Sequence, residues 1–355
     1  MILNAKKTIQ AKIVHLTKVK QQLLEEEYQN LQRFLHGETV ELYSANKQQA
    51  KRFYRHIKPN KEYSLSVRKD LLKIEKRSTK IVEYWARIPV KGRRGGVWVA
   101  IKPHCPIEPD MGICESKLFK RNGDFYLHVV VEKDVEPKTY CNNVLAVDLG
   151  IHNIAVTVNS KAGETHFYGK KLRAIRGHYF YLRRNLPNRK AIKKIGNHER
   201  RIINHELHKI SKAIVQEANQ TNSAIVIGEL KGVRKNGNSR RRRFNRKLNS
   251  FPYYKLSSYI KYKAEWLGVP VLKVSEAYTS QTCSICGGRG MRHNGLFECA
   301  CGAELNADYN GAKNMMKRGL GLMSKLGASV NTLKTPPTDS LNPMMRGEAT
   351  SFRAW

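Results

Sequence analysis

Nowhere does the sequence hold an apolar run approaching the roughly 20 residues that a membrane-spanning helix needs, so a membrane partner is not expected. The opening stretch "MILNAKKTIQAKIVHL" sets lysines where a secretory signal would carry its apolar segment. Export is therefore not expected, and the cytoplasm is the expected compartment. Acidic residues are scarce: 29 Asp and Glu stand against 65 Lys and Arg, a formal net charge of +36. That excess is far beyond what solubility asks for and points to a polyanionic partner. The seven cysteines are an odd number, and Cys283, Cys286, Cys299 and Cys301 crowd into one short segment. A disulfide framework does not fit that pattern, whereas a metal site in a reducing compartment does.

What is present is enough chain, 355 residues, for two or three domains with cores of their own. Residues 1–14 read as a strand and residues 15 to about 80 as charged helical segments such as "TKVKQQLLEEEYQNLQRFL". From about 81 to 136 the texture is strands and turns. "SKLFKRNGDFYLHVVVEK" is a hairpin signal, because Asn122 and Gly123 sit between two runs of strand formers. A strand, a helical insertion and further strands suggest a small barrel interrupted by a helical lobe. Beyond residue 143 the order is three strands, a long basic region, the strand "SAIVIGEL", a helix over 251–267 stopped by Gly268, and the strand "VPVLKV". In the basic region Ile203, Leu207, Ile210 and Ile214 recur at helical spacing. That succession is the order of an RNase H-like fold. The segment past Gly319 is rich in small, polar and proline residues and reads as a disordered tail.

Asp148 ends the apolar run "NVLAVD", whose lack of polar alternation suits a strand covered on both faces. A lone buried carboxylate there would be costly without a cation or donors. Three readings fit the stretch alone: the phosphate loop of actin-like and sugar-kinase ATPases, a catalytic acid of an RNase H-like nuclease, or a turn cap. The ATPase reading weakens because no second D-x-G phosphate loop ends an apolar strand and there is no glycine-rich adenosine site. Glu229 repeats the arrangement at the end of "SAIVIGE", and Asp308 falls in the first turn of a helix that Asn306 can cap. Asp148, Glu229 and Asp308 would converge on a divalent ion, Mg2+ or Mn2+, which prefers oxygen ligands.

"CSICGGRGMRHNGLFECACG" pairs a C-x2-C with a C-x-C across a hairpin near Asn294 and Gly295, the pattern of a structural zinc ribbon. The one-residue spacer departs from the usual pair and leaves His293 as a substitute ligand to consider. "LKGVRKNGNSRRRRFNRKL" holds nine Lys or Arg and no acid. Arg240, Arg241, Arg242, Arg243, Arg246 and Lys247 are the candidate phosphate contacts there. Residues 170–201 hold twelve more against a single acid, Glu199.

The order "AVDLGIHNIAV", "AIVIGEL", "SEAYTSQTCSICG" and "FECACGAELNADYNGAKNMM" resembles the TnpB family, RNA-guided nucleases of insertion sequences related to miniature type V CRISPR effectors. The specific part of the resemblance covers residues 143 to about 318. It implies an α/β and α+β multidomain chain: a wedge-like β-barrel (1–14 and 81–140) with an inserted helical recognition lobe (15–80), then an RNase H-like (RuvC) nuclease domain (141–278 and 303–320). A zinc ribbon (279–302) splits that domain, and 321–355 is the expected disordered tail. The implied activity is RNA-guided cutting of DNA at a two-metal RuvC site, with Asp148, Glu229 and Asp308 catalytic and the four cysteines on Zn2+. Guide RNA and target DNA are the implied partners. A nuclease-inactive guide-directed regulator is one alternative, although none of the three acids is missing; an RNA-independent RNase H-like nuclease is the other.

Overall fold

Asn122 and Gly123 turn the chain back on itself with φ of 52° and 85°, the left-handed pair that a two-residue hairpin turn requires. The structure is a computed structural model and describes residues 2–77, 79–138, 141–150, 152–229, 252–293 and 295–325. Arg240, Arg241, Arg242, Arg243, Arg246 and Lys247 lie outside those residues, as does all of the expected tail beyond 325. The chain divides into two compact units, one formed by Asn4–Asp134 and the other from Val135 onward.

The first unit runs β1 (Leu3–Val14), α1 (Lys18–Leu35), α2 (Ser44–Phe53), β2 (Leu65–Val67), β3 (Lys73–Lys76), β4 (Tyr84–Ile88), β5 (Val97–Pro103), β6 (Gly112–Ile113), β7 (Ser116–Arg121) and β8 (Asp124–Val135). The strands join in the order β2-β7-β8-β1-β5-β4-β3, with β6 added to β8. The sheet curls as a half-barrel. Where a barrel was expected, β2 and β3 end the sheet unpaired with each other. These are strands of three and four residues, which leave few open backbone groups at an edge. The helical stretch is also shorter than the expected 15–80, since β2 and β3 fall inside it and join the sheet.

Thr17 caps α1 by accepting from the Lys20 N–H, and Leu24, Tyr28 and Leu31 form its buried face. Tyr28 meets Phe125 of β8 edge-on at 5.8 Å. Each of these apolar side chains contributes about 2 kcal/mol by burial. Glu27 shares that face and is 3% exposed. Its Oε1 accepts from the Tyr43 N–H and the Asn46 amide, and its Oε2 from the Lys91 N–H. Three donors offset the desolvation of the carboxylate and tie both helices to the segment after β4.

The second unit runs β9 (Asn143–Asp148), β10 (Ala155–Asn159), β11 (Thr165–Tyr168), α3 (Lys170–Asn185), α4 (Arg189–Ile195), α5 (His198–Gln220), β12 (Ser223–Glu229), α6 (Tyr253–Trp266), β13 (Val271–Ser275), β14 (Gly290–His293), β15 (Leu296–Cys299), β16 (Glu304–Asn306) and α7 (Ala307–Lys325). Its main sheet has the order β11-β10-β9-β12-β13. β9, β10 and β11 are antiparallel, and β12 lies parallel to both β9 and β13. Leu145, Val147, Ile225 and Ile227 pack on one face against Leu207, Ile210 and Ile214 of α5 and Leu256 and Ile260 of α6. Val144, Ala146 and Val226 pack on the other against Ala312, Met315 and Met316 of α7. Two covered faces explain why β9 and β12 show no polar alternation.

α7 reaches the sheet closely because Gly319 carries no side chain; a Cβ there would stand 2.5 Å from Val226 Cγ2. The helix continues to Lys325, so the expected tail from 321 begins as helix. Its packing onto the sheet, with Met323 buried, holds that last turn in place despite the two glycines before it. Among the described residues no helix is long and apolar enough to cross a membrane.

Candidate active site and cysteine cluster

The parallel register of β12 and β9 ends with Ile227 beside Val147, so the next pair along brings Gly228 level with Asp148 and leaves Glu229 one residue further, at the same end of the sheet. Asp308 comes to that end from α7. Asn306 fixes the start of the helix by accepting from the Asp308 and Tyr309 N–H groups at 3.0 and 3.1 Å. Both oxygens of the Asp308 carboxylate are hydrogen-bonded: Arg292 Nη2 of β14 donates to Oδ1 at 2.8 Å and Asn153 Nδ2 to Oδ2 at 3.0 Å.

Asp148 and Asp308 share one small space kept clear by glycines. A Cβ on Gly311, one turn beyond Asp308, would stand 2.9 Å from Asp148 Oδ2, and one on Gly150 would stand 3.7 Å from Asp308 Oδ2. Burial pushes the Asp148 carboxyl up to about 8, with the charges of Asp308 and Glu276 adding to it and Arg292 and the Leu149 N–H opposing. An acid held that way favours a proton, or a cation in its place. Burial likewise raises Glu276 to about 7.

Glu276, Asn153 and Arg292 are neighbours of the site that the sequence reading did not single out. Glu276 carried the same signature as Asp148 and Glu229, an acid at the C-terminal end of an apolar strand, since it follows Ser275 of β13 directly. Asn153 and Arg292 carried no such signal, because what brings them in is the turn before β10 and the ribbon hairpin.

β14, β15 and β16 form a three-stranded antiparallel sheet, with Cys299 ending β15, Cys301 following it, and Cys283 and Cys286 in the segment before β14. The four sulfur atoms all lie within 4.8 Å of one another, with Cys283 to Cys301 at 3.8 Å and Cys286 to Cys299 at 3.6 Å. Tetrahedral zinc with thiolates about 2.3 Å away has sulfur–sulfur edges of about 3.8 Å, so the C-x-C half fits the shared geometry. His293 is not among the clustered ligand atoms. Backbone N–H groups of Ile285 and Gly288 point at the sulfurs of Cys283 and Cys286 at 3.4 Å, and the Gly288 contact leads in holding the Cys286 thiol below its ordinary range.

A stripe along α7 fastens the ribbon to the five-stranded sheet. Asn310 accepts from the Ser284 N–H and donates to the Thr282 carbonyl. Asn314 donates to the carbonyls of Thr279 and Thr282, and Lys317 to that of Ser284.

The family described as Cas12f1-like, TNB domain, matches residues 253–315, from α6 through the ribbon into α7. A TnpB-like protein of Methanocaldococcus jannaschii is 29% identical over 224 residues, 56% of this chain and 80% of that protein. The CRISPR-associated endodeoxyribonuclease Cas12f1 of Sulfoacidibacillus thermotolerans is 32% identical over 225 residues, 55% of this chain and 50% of that protein. In fold alone, the crystal structure of AacC2c1 with sgRNA and extended non-target DNA superposes with a TM-score of 0.50 at 10% identity, covering 74% of this chain and 56% of that one. With the acids at the end of the sheet and the four-cysteine ribbon beside them, the chain is similar to TnpB-like proteins and to Cas12f1.

Proposed function

We propose that the protein is an RNA-guided DNA endonuclease whose RNase H-like (RuvC) domain hydrolyses phosphodiester bonds at a two-metal site. The observation that supports this most is the meeting of Asp148 and Asp308 at the C-terminal end of the five-stranded sheet, with Glu229 ending the adjoining strand. The donor set is all carboxylate oxygen, which suits Mg2+ or Mn2+, and Gly150 and Gly311 leave room at both aspartates. When bound, the ions supply an activated water and stabilise the leaving oxygen. Asp148, Glu229 and Asp308 would hold them. Arg292 and Asn153 set the orientation of the Asp308 carboxylate in advance.

In this reading the four cysteines hold one structural Zn2+ that shapes the ribbon. The first unit supplies the wedge and recognition lobe. The charge of +36 suits a channel that follows backbone phosphates of a guide RNA paired with its DNA target, over about 20 base pairs in effectors of this kind. The arginine-rich segment with Arg240–Arg243, Arg246 and Lys247 follows Glu229 in sequence and adds phosphate contacts. The relatives carry the words TnpB-like and endodeoxyribonuclease in their names, and that is the further support for extending the activity to this chain.

The test is to sequence the nucleic acid that copurifies with the protein, rebuild the complex with that RNA and offer plasmid DNA bearing the matching target with Mg2+. Cutting that follows the guide, and is lost with Asp148→Ala while nucleic acid is still bound, is the expected result. Cutting at an unchanged place after RNase treatment would overturn the guided reading in favour of an RNA-independent nuclease.

A further inference from the structure

Gly228 is a strand residue of β12 without the positive φ that would itself call for glycine. The reason for it is a side chain. A Cβ at Gly228 would fall 1.7 Å from Glu276 Oε1 and 2.2 Å from its Cγ, so the Glu276 side chain lies flat across the backbone of β12. Gly228 is level with Asp148 in the parallel register. On alternating strands both belong to the face that α7 covers, since Ala146 and Val226, two residues before each, pack there. The Glu276 carboxylate is thus laid over the strand next to Asp148, and its charge acts on Asp148.

The backbone around Glu276 is held firmly. Arg318 of α7 donates to the carbonyls of Ser275 and Ala277 on either side of it, and Thr279 donates its hydroxyl to the Glu276 carbonyl at 2.9 Å. Yet Oε1 is buried with no hydrogen-bond partner among the described residues. The two arginines at hand are directed elsewhere, Arg318 to those carbonyls and Arg292 to Asp308. A carboxylate oxygen buried only for structure would be hydrogen-bonded. This oxygen is oriented over Gly228 and left open on the strand next to Asp148.

We propose that Glu276 is a fourth carboxylate of the divalent-cation site, its Oε1 an oxygen ligand for the ion that Asp148 takes. The inference rests on the reading of Asp148, Glu229 and Asp308 as that site, and it adds a third strand end, that of β13, to the ligand set. Magnesium and manganese bind through several oxygens, so another carboxylate raises affinity without changing the kind of ion. It also explains Gly228, which is required because any larger residue would expel the ligand.

The experiment measures Mn2+ binding directly, by the electron paramagnetic resonance signal of the free ion, on the whole chain stripped of nucleic acid in high salt. Glu276→Gln keeps the size of the side chain and removes its charge, and Gly228→Ala displaces the side chain without altering it. Each is expected to weaken Mn2+ binding about tenfold, on the order of what altered metal-site partners cost. The melting temperature without divalent ions should stay the same or rise in Glu276→Gln, because repulsion on Asp148 is relieved. Asp148→Asn is run beside them. If it weakens Mn2+ binding while Glu276→Gln and Gly228→Ala bind like the unmodified chain, the inference fails and the underlying site stands. If Asp148→Asn also binds like the unmodified chain, the underlying reading fails with it. Should Glu276→Gln not fold, Gly228→Ala alone decides by the same comparison.

Discussion

Three glycines in α7 face three different surroundings, so one substitution made at each should give three different outcomes. Replacing glycine by alanine inside a helix is worth about 1 kcal/mol in propensity, and none of the three has a positive φ that alanine would resist. Gly321 has nothing within 4 Å of a new Cβ. Gly321→Ala should therefore keep the whole gain and raise the melting temperature by about 2–4 °C, the scale for a domain of this size. At Gly319 the new carbon would meet Val226 Cγ2 at 2.5 Å and Val144 Cγ1 at 3.3 Å, both within a packed helix–sheet interface. Overpacking of that kind costs about 1–3 kcal/mol, so Gly319→Ala should be neutral to about 2 kcal/mol destabilising. At Gly311 the obstacle is Asp148 Oδ2 at 2.9 Å, the free end of a side chain that can rotate away. Gly311→Ala should then keep most of its propensity gain while turning the Asp148 carboxylate out of place. Thermal unfolding with and without Mn2+ separates these effects. Gly311→Ala is expected to melt at or above the unmodified chain in divalent-free buffer and to gain less from added Mn2+. If Mn2+ stabilised Gly311→Ala as much as the unmodified chain, Gly311 would not be keeping Asp148 clear, and the reasoning would be refuted.

Metal analysis of the purified chain should find one zinc, and Cys301→Ser should lose it and loosen the ribbon, visible as faster proteolysis between residues 279 and 306; a zinc-free chain with a protected ribbon would refute the tetrahedral assignment. Lys263 Nζ donates to the His208 carbonyl and Ser211 Oγ, and burial, with the charge of Lys212, lowers it to about 8. The unfolded chain therefore binds more protons than the folded one between about pH 8 and 10.5, and this group's contribution to stability rises with pH through that window. Lys263→Met should flatten the dependence of melting temperature on pH from 8 to 10 relative to the unmodified chain, and an unchanged slope would refute it.

The main sheet of the second unit was legible because its strands are covered twice: "NVLAVD" and "SAIVIGE" are apolar without alternation, and α5 announces itself through Ile203, Leu207, Ile210 and Ile214, all buried. The hairpin at Asn122 and Gly123 was legible because only certain residues accept two left-handed positions in a row. The first unit's topology was not, since β2 and β3 are too short to carry a period and are placed by partners far along the chain, β7 and β4. At the site, residue type and position in a strand pointed to Asp148 and Glu229, and helix capping pointed to Asp308. Asn153 and Arg292 reach Asp308 across sequence separations of 155 and 16 residues, and no local pattern encodes such a meeting. Glu276 was legible on the same grounds, because it directly follows the strand β13.

One helix connects these features. α7 begins at Asp308, leaves space for Asp148 at Gly311, and closes on the sheet at Gly319. Asn310, Asn314, Lys317 and Arg318 recur at intervals of three and four, the spacing of one helix face, and each bonds backbone in the stretch from Ser275 to Ser284. That stretch begins beside Glu276 and ends at the first ribbon cysteines. At the other end of the ribbon β16 runs directly into Asp308, and Arg292 of β14 holds the Asp308 carboxylate. The ribbon is therefore attached to the acids twice, through its last strand and through this face of α7. Collapse of the cysteine cluster would be transmitted to Asp308 through Arg292 and β16, and to Glu276 through the segment that Asn310 and Asn314 anchor. Asp148 and Glu229, which end strands in the middle of the sheet, would keep their backbone positions. Disruption of the cysteine cluster should thus weaken the site from the side of α7 and β13 first, leaving the central pair of strand ends in place.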